Sequence, residues 1–147
     1  MYTRILVATD GSALSKKAVK NAIALAAAVG ADLVALNVVP RYPVSYFEGS
    51  ITMSPQEVAR AEKSWSDKAQ LMIDDAVAAA ASAGVKAKGA LAHSDLVAEA
   101  VVSAAKKYKC DLVVMASHGR KGIKRILLGS ETQHVLTHST VPVLVLR

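Results

Sequence analysis

The segment Leu112–Gln133, LVVMASHGRKGIKRILLGSETQ, carries the most specific pattern in the chain. Its first residues, Leu112 to Met115, form an apolar run that is too short for a helix and rich in β-branched side chains, which predicts a strand. A helix is predicted to begin at Gly129-Ser130, because Ser130 and Gln133 have the spacing of a capping box. The segment is therefore predicted to run from strand to glycine-containing loop to helix N-terminus.

The loop between this strand and this helix combines glycine with positive charge. Gly119 and Gly129 let the backbone approach an anion without a Cβ in the way. The helix N-terminus adds unpaired N–H groups and a partial positive charge. Between the glycines lie four basic residues: Arg120, Lys121, Lys124 and Arg125. This combination favours a polyphosphate ligand, but an ordinary capped strand-to-helix connection with a solvated basic loop fits the same residues.

The spacing of small residues in this loop resembles the nucleotide loop of the universal stress protein family. The family pattern is Gly, two residues, Gly, nine residues, Gly, then Ser or Thr, and Gly119, Gly129 and Ser130 fill its last three positions. Ala116 stands where the family has its first glycine, and its methyl group would lie close to a bound ligand. The opening ILVATDGS and the closing VPVLVLR also fit, so the resemblance covers residues 1–147 as one domain.

The resemblance implies an ATP-binding, homodimeric, nucleotide-linked regulator of the stress response. The backbone of Ala8 and Val38 and the side of Met115 match positions that hold adenine in such proteins. Asp10 would hold a ribose hydroxyl or a Mg²⁺ ion on the phosphates, whereas its structural role would be an Asx-turn. The implied nucleotide-binding set is Ala8, Thr9, Asp10, Val38, Met115, Ala116, His118, Gly119, Gly129, Ser130 and Glu131. No set of base, nucleophile and orienting residue is evident, so at most slow ATP hydrolysis is expected.

Strands and helices alternate over the whole sequence. The predicted strands are 5–8, 33–39, 85–92, 112–115 and 141–146, separated by helices that start near residues 12, 54, 94 and 130. This alternation predicts an α/β fold with a parallel sheet. If the chain winds outward from the first and fourth strands, the strand order is 3-2-1-4-5 with helices on both faces, a Rossmann-like arrangement that the resemblance also implies. Ligands would bind at the switch point between those two strands.

Composition restricts the class of protein. A chain of 147 residues with 52% hydrophobic residues predicts one domain with a sizeable core. The net charge is +6, yet there is no long Lys/Arg run and no aromatic-rich strand on which bases could stack, so no nucleic-acid partner is predicted. No apolar run is long enough to span a membrane. The single cysteine, Cys110, permits a reducing compartment, and a cytoplasmic location is predicted.

Two further segments have more than one interpretation. Pro40–Met53 is irregular and carries three of the five Tyr and Phe residues, which fits a lid, a partner contact or a plain insertion. The final strand, within Val141–Leu146, is apolar and would lie at a sheet edge, so it predicts a homodimer formed by pairing with the same strand of a second chain. The alternative function is a dimeric stress-related interaction protein whose nucleotide site is weakly occupied, for which Ala116 is the main argument.

Overall fold

Strands and helices alternate as predicted in the computed structural model, which describes residues 1–41, 53–119 and 127–147. In chain order the elements are β1 (Arg4–Ala8), α1 (Ala13–Val29), β2 (Asp32–Val39), α2 (Pro55–Ser82), β3 (Ala87–His93), α3 (Val97–Lys107), β4 (Leu112–Ala116), α4 (Ser130–His138) and β5 (Val143–Leu146). The strands form one parallel sheet in the order β3-β2-β1-β4-β5. The predicted fold class and strand order are confirmed.

The sheet is covered on both faces, which explains why its central strands are continuously apolar. Ile5 and Val7 of β1 pack with α1 and α2 in one hydrophobic cluster. Leu6, between them in sequence, points to the opposite face and packs with α3 and α4 in a second cluster. Alanines fill much of both interfaces and bring the helices close to the sheet.

Helix α1 and helix α2 begin at caps that the sequence predicts. The Ser12 hydroxyl accepts from the Ser15 N–H at 3.2 Å. Ser54 and Glu57 form a complete capping box, and the hydrogen bonds from Ser54 lower the pKa of the Glu57 carboxyl. The capping box predicted at Ser130 and its partner three residues later is wrong. Gly129 is the N-cap of α4, and the helix begins at Ser130 after a residue that has no side chain to cap it.

Three elements, β3, α3 and β5, begin later than predicted because local hydrogen bonds compete for their first residues; in β5 the Val141 N–H donates to the Ser139 hydroxyl at 3.2 Å, and the strand begins at Val143. The Val85 N–H donates to the Ala80 carbonyl at 2.9 Å and completes the exit from α2, so β3 begins two residues further on. The Leu96 N–H donates to the Ser94 hydroxyl at 3.0 Å. This turn delays the start of α3, since short polar side chains offer the backbone an alternative to the helix.

Candidate functional site

The carboxyl ends of β1 and β4 lie side by side in the middle of the sheet. The two strands pair in parallel, with Leu6 opposite Val113. The polar turns that follow them therefore meet at one edge: a Cβ added to Gly119 would lie 2.5 Å from Oδ2 of Asp10. The structure thus brings together Asp10 and Gly119, two residues of the predicted site that are far apart in sequence, at the switch point of the sheet.

Hydrogen bonds to small polar side chains hold the turn after β1. The Ser15 hydroxyl donates to the Ser12 carbonyl at 3.0 Å and accepts from the Asp10 N–H at 3.3 Å. The hydroxyl of Thr9 lies 3.1 Å from that of Ser15, and both side chains are buried. Asp10 makes the predicted Asx-turn, because its Oδ1 accepts from the Ser12 N–H at 2.9 Å. The carboxylate is therefore oriented with Oδ2 next to Gly119.

The end of β4 is fastened to the start of α4. The Ser117 carbonyl accepts from the Gly129 N–H at 2.7 Å and from the Thr132 hydroxyl at 3.1 Å. The same hydroxyl lies 3.0 Å from the carbonyl oxygen of Ala116. A Cβ on Gly129 would lie 3.2 Å from the Ser117 oxygen, so a glycine is what allows this close approach. These contacts set the N-terminus of α4 beside the end of β4.

The N-terminus of α4 differs chemically from those of α1 and α2. Its N-cap, Gly129, has no side chain, and among the described residues no side-chain hydrogen bond caps this helix, whereas serines cap the other two. The N–H groups of a helix's first turn have no acceptor within the helix. Together with the helix dipole they form a site that suits an anion. This end of α4 includes Gly129 and Ser130 of the predicted set.

Glu131 belongs to the same helix turn, but its side chain has a structural role that the sequence did not predict. Its Oε2 accepts from the Ala98 N–H at 3.0 Å. Ala98 lies in the first turn of α3, whose N-cap, Leu96, makes no side-chain cap of its own. Glu131 therefore caps α3 from α4. No local signal could reveal this contact, since the two residues are 33 positions apart in sequence.

The residues predicted to hold adenine meet on the face covered by α3 and α4. Met115 is part of that hydrophobic cluster, and Ala8 and Val38 pack against it at the ends of their strands. Ala116 is buried as the last residue of β4 and lies opposite Leu146 of β5. Among the described non-glycine residues only Lys109 has a positive φ. Ala116 thus stands in ordinary strand conformation, and glycine's conformational freedom is not needed there.

His118 and Asp10 are titratable residues of the predicted nucleotide-binding set that lie at this edge of the sheet. The Ser117 hydroxyl lies 3.2 Å from Nδ1 of His118, which is partly buried. Within the described ranges no group of three or more His, Cys, Asp and Glu side chains could hold a metal ion. A Mg²⁺ ion at Asp10 would accordingly need phosphate oxygens as further ligands, a common arrangement for this ion.

A cleft of about 550 Å³ opens between α1 and α2 and reaches the turn after β1. Thr9 is the one residue of the predicted site among its lining residues, so the cleft adjoins the switch point without coinciding with it. The described residues around it are Thr9, Gly11, Lys16, Val19, Lys20, Ile23, Met72, Asp75, Ala76 and Ala79.

Two predictions lie outside the described residues. One is the basic segment with Arg120, Lys121, Lys124 and Arg125, and the other is the aromatic part of Pro40–Met53. No helix in the described parts of the chain is long and apolar enough to cross a bilayer.

Comparison with known proteins places these features in a family. The model of the universal stress protein family matches residues 1–147. Universal stress protein MJ0531 of Methanocaldococcus jannaschii is 33% identical over 153 residues, covering 100% of this chain and 83% of that protein. Universal stress protein YxiE of Bacillus subtilis is 31% identical and is covered over its full length, as is this chain.

Solved structures agree with this assignment. The structure of MJ0577 superposes with a TM-score of 0.82 at 27% identity, covering 99% of this chain and 96% of that one. A universal stress protein in complex with cAMP superposes with a TM-score of 0.72 at 28% identity, covering 99% and 97% of the two chains. With the family model matching from the first residue to the last, this chain belongs to the universal stress protein family.

Proposed function

We propose that this protein binds adenine nucleotides, ATP in particular, at the switch point between β1 and β4, and acts as a nucleotide-linked regulator of the stress response. The observation that carries the proposal is the N-terminus of α4, whose N-cap is a glycine without a side-chain cap and which the hydrogen bond from Gly129 to Ser117 holds beside the end of β4. Such an end suits a polyphosphate. The similar fold at 28% identity that was solved with cAMP supports an adenine nucleotide as the ligand.

In this proposal the triphosphate lies along the first turn of α4. The N–H groups that follow Gly129, and the hydroxyl of Ser130, donate to phosphate oxygens. The backbone of Gly119 approaches the phosphates from the other side, next to His118. Charge-assisted hydrogen bonds contribute about 1.5–3 kcal/mol each. A few of them reach the ~8 kcal/mol that corresponds to micromolar affinity, although the cost of ordering the loop and ligand offsets part of this sum.

The other end of the ligand is held by β1 and β2. Backbone groups of Ala8 and Val38 hydrogen-bond the adenine, and Met115 packs against it, with Thr9 and Ala116 completing the walls. Asp10 keeps Oδ1 in the Asx-turn and uses Oδ2 toward a ribose hydroxyl or Mg²⁺. The ion would neutralise charge on the phosphates. A single oriented carboxylate fits an ion that is otherwise held by phosphate and water.

We also propose that the protein is a homodimer that pairs through β5. The N–H groups of Val113 and Ser117 donate to the carbonyls of Pro142, just before β5, and of Leu146, its last residue, so the backbone groups at these even-numbered positions face β4. The backbone groups of Val143 and Val145 face the other way, at the outer edge of the sheet, because strand residues alternate. Within the described residues no strand pairs with this apolar edge, and such an edge is a template for pairing with a second copy. The stress-response role stays a prediction that rests on family membership, and the cytoplasmic location stays a prediction that rests on the sequence.

Replacing Ser130 tests the phosphate site without disturbing the helix. Ser130 is the first residue of α4 and follows a residue with φ −59° and ψ 150°. Pro55 starts α2 after Ser54, which has φ −62° and ψ 153°, so proline is compatible with this position. Ser130→Ala removes the hydroxyl and should weaken ATP binding about tenfold, whereas Ser130→Pro also removes the N–H and should weaken it about tenfold more.

The measurement is ATP affinity by titration calorimetry, together with identification of any nucleotide that copurifies. Both variants should unfold within a few degrees of the wild type when no ATP is present. Wild-type protein should show an ATP-dependent rise in Tm. If millimolar ATP leaves the wild-type Tm unchanged and no nucleotide is recovered from the purified protein, the proposal is wrong and the dimeric interaction protein is the better description.

A further inference from the structure

Thr132 is a buried polar residue outside the predicted ligand set. Its side chain is 2% exposed. It occupies the first turn of α4, and its hydroxyl points back to β4, 3.0 Å from the Ala116 carbonyl and 3.1 Å from the Ser117 carbonyl. One hydroxyl hydrogen is thus shared between two consecutive backbone acceptors. A polar side chain this deeply buried normally has a specific structural purpose.

The two carbonyls are the last peptide groups of the strand before the proposed phosphate site. The Ser117 carbonyl also accepts from the Gly129 N–H at 2.7 Å. Two donors at the start of α4 therefore bond to the same short segment at the end of β4. One is the N–H of the N-cap, Gly129, and the other is the hydroxyl of Thr132 in the first turn. The distance of 2.7 Å between the Gly129 nitrogen and the Ser117 oxygen is already at the short end for such a hydrogen bond, so the helix start cannot move nearer to the strand. The hydrogen bonds of the Thr132 hydroxyl oppose movement away from the strand.

We propose that Thr132 is the positioning residue of the nucleotide site. Its hydroxyl fixes the N-terminus of α4 against the end of β4. The N–H groups of the first helical turn and the backbone of Gly119 can then bind the same phosphate group. This inference rests on the proposed function, because a phosphate is what the fixed helix end would bind. Without the hydroxyl the Ala116 carbonyl loses this buried donor, and the helix start can shift away from the strand. Phosphate donors must be placed within a few tenths of an ångström to act together.

The test compares Thr132→Val with Thr132→Ser. Valine has the same shape but cannot donate, whereas serine keeps the hydroxyl. We expect Thr132→Val to weaken ATP binding at least tenfold and to leave adenosine binding within twofold, since adenosine has no phosphate for α4 to hold. Thr132→Ser should bind ATP within threefold of wild type. The ratio of ATP to adenosine affinity is decisive, because a general loosening of the protein would weaken both ligands.

Val135→Ala is the matched control. Val135 is fully buried in the same helix, so its truncation destabilises α4 without removing either hydrogen bond of Thr132. It should leave the ratio of affinities unchanged. The inference is overturned if Thr132→Val keeps the wild-type ratio, if Thr132→Ser fails to restore it, or if Val135→Ala lowers it as much as Thr132→Val does.

A second measurement separates this inference from the proposed function. If the wild type binds no nucleotide, the proposed function fails, and the positioning claim is then judged by amide hydrogen exchange. The Gly129 N–H should exchange at least tenfold faster in Thr132→Val than in wild type, and at the wild-type rate in Thr132→Ser. Equal exchange in all three proteins would show that Thr132 does not fix the helix start.

Discussion

Asp10 occupies the space that a side chain on Gly119 would need. A Cβ there would lie 2.5 Å from Oδ2, and Asp10 cannot simply rotate away, because its Oδ1 accepts from the Ser12 N–H. The glycine is required for space, since its φ lies outside the left-handed region. The position of the Asp10 carboxylate therefore depends on the absence of a side chain at residue 119, where the two loops meet.

Gly119→Ala should displace the Asp10 carboxylate, weaken ATP binding about tenfold or more, and lower the free energy of unfolding by about 1 kcal/mol. The same substitution should cost much less stability in an Asp10→Ala background, where the conflicting oxygen is gone. A double-mutant cycle by urea unfolding measures this coupling. If the two substitutions are strictly additive in stability, the close contact is not what requires the glycine.

Cys110 should be unreactive in the folded protein. Burial, opposed in part by Arg4, raises the pKa of its thiol to about 11, so at pH 8 only about one thiol in a thousand is ionised. The thiolate is the nucleophile. We expect native protein to resist iodoacetamide at pH 8 for hours and to be labelled as soon as urea unfolds it. Rapid labelling of the native state would mean that the Cys110 thiol is accessible and more ionised than its burial allows.

The roles of single residues were predicted less well than the fold, because they depend on contacts between parts of the chain that are distant in sequence. The sequence singled out Gly119 and Gly129 through their spacing as residues that could approach a phosphate. In the structure, however, their missing side chains first allow parts of the chain to approach each other. The cap assigned to Ser130 was wrong, because Gly129 takes the N-cap position. Thr132 was missed altogether, since its partners lie 15 and 16 residues earlier in the sequence.

At the scale of elements, Glu131 joins α3 to α4. Glu131→Ala removes the acceptor for the Ala98 N–H and should lower the free energy of unfolding by about 1 kcal/mol, the usual effect of losing an N-cap. ATP affinity should stay within twofold, because the carboxylate is engaged with α3. Glu131→Gln keeps an oxygen acceptor and should lose less stability. If Glu131→Ala instead lowers ATP affinity strongly and leaves stability unchanged, the Glu131 side chain contacts the nucleotide and does not cap α3.

Asp111 joins the start of β1 to the chain just before β4. Its carboxylate accepts from the Thr3 N–H and hydroxyl, both at 2.8 Å, and from the Arg4 N–H at 3.0 Å. Burial alone would raise the pKa of Asp111, but these hydrogen bonds outweigh it and hold the pKa below its ordinary value. The group therefore stabilises the fold above the unfolded pKa of about 4 and loses this effect as the pH falls through the folded pKa.

Asp111→Asn should accordingly be less stable than wild type at pH 7, and the difference should shrink as the pH is lowered from about 5 to about 2.5. Urea unfolding at several pH values measures it. Solvent screens the charge of this carboxylate, so the difference in the free energy of unfolding is expected to be small. A difference that stays constant with pH would mean that the ionised carboxylate is not what ties β1 to β4.

At the scale of the whole molecule, pairing through β5 can be blocked at the backbone. The N–H of Val145 faces the outer edge, so Val145→Pro removes a donor that a second chain would use while sparing the hydrogen bonds to β4. We expect a monomer by light scattering, with Val145→Ala still dimeric as the control. Circular dichroism should show that both variants are folded. A dimer that survives Val145→Pro would place the interface elsewhere.

The architecture was predictable because it depends on regularities that run along the whole chain. Alternating apolar strands and helices determine a parallel sheet, and connectivity rules leave few strand orders. Element bounds were less predictable where hydrogen bonds such as that of Ser94 compete with the helix. The contacts between distant elements, such as Glu131 with Ala98, follow only from the packed molecule.

The hydrogen bond between Gly129 and Ser117 also has a consequence for engineering. It closes the chain on itself at the base of the segment between β4 and α4, and Thr132 reinforces the closure. When the two ends of a segment are already held together, lengthening it costs little loop-closure entropy, about 0.6 kcal/mol for each doubling of its length. This makes the stretch after Gly119 a natural place to graft a foreign peptide or a fluorescent reporter. Such an insert would sit next to the proposed phosphate site and could serve as a sensor of its occupancy.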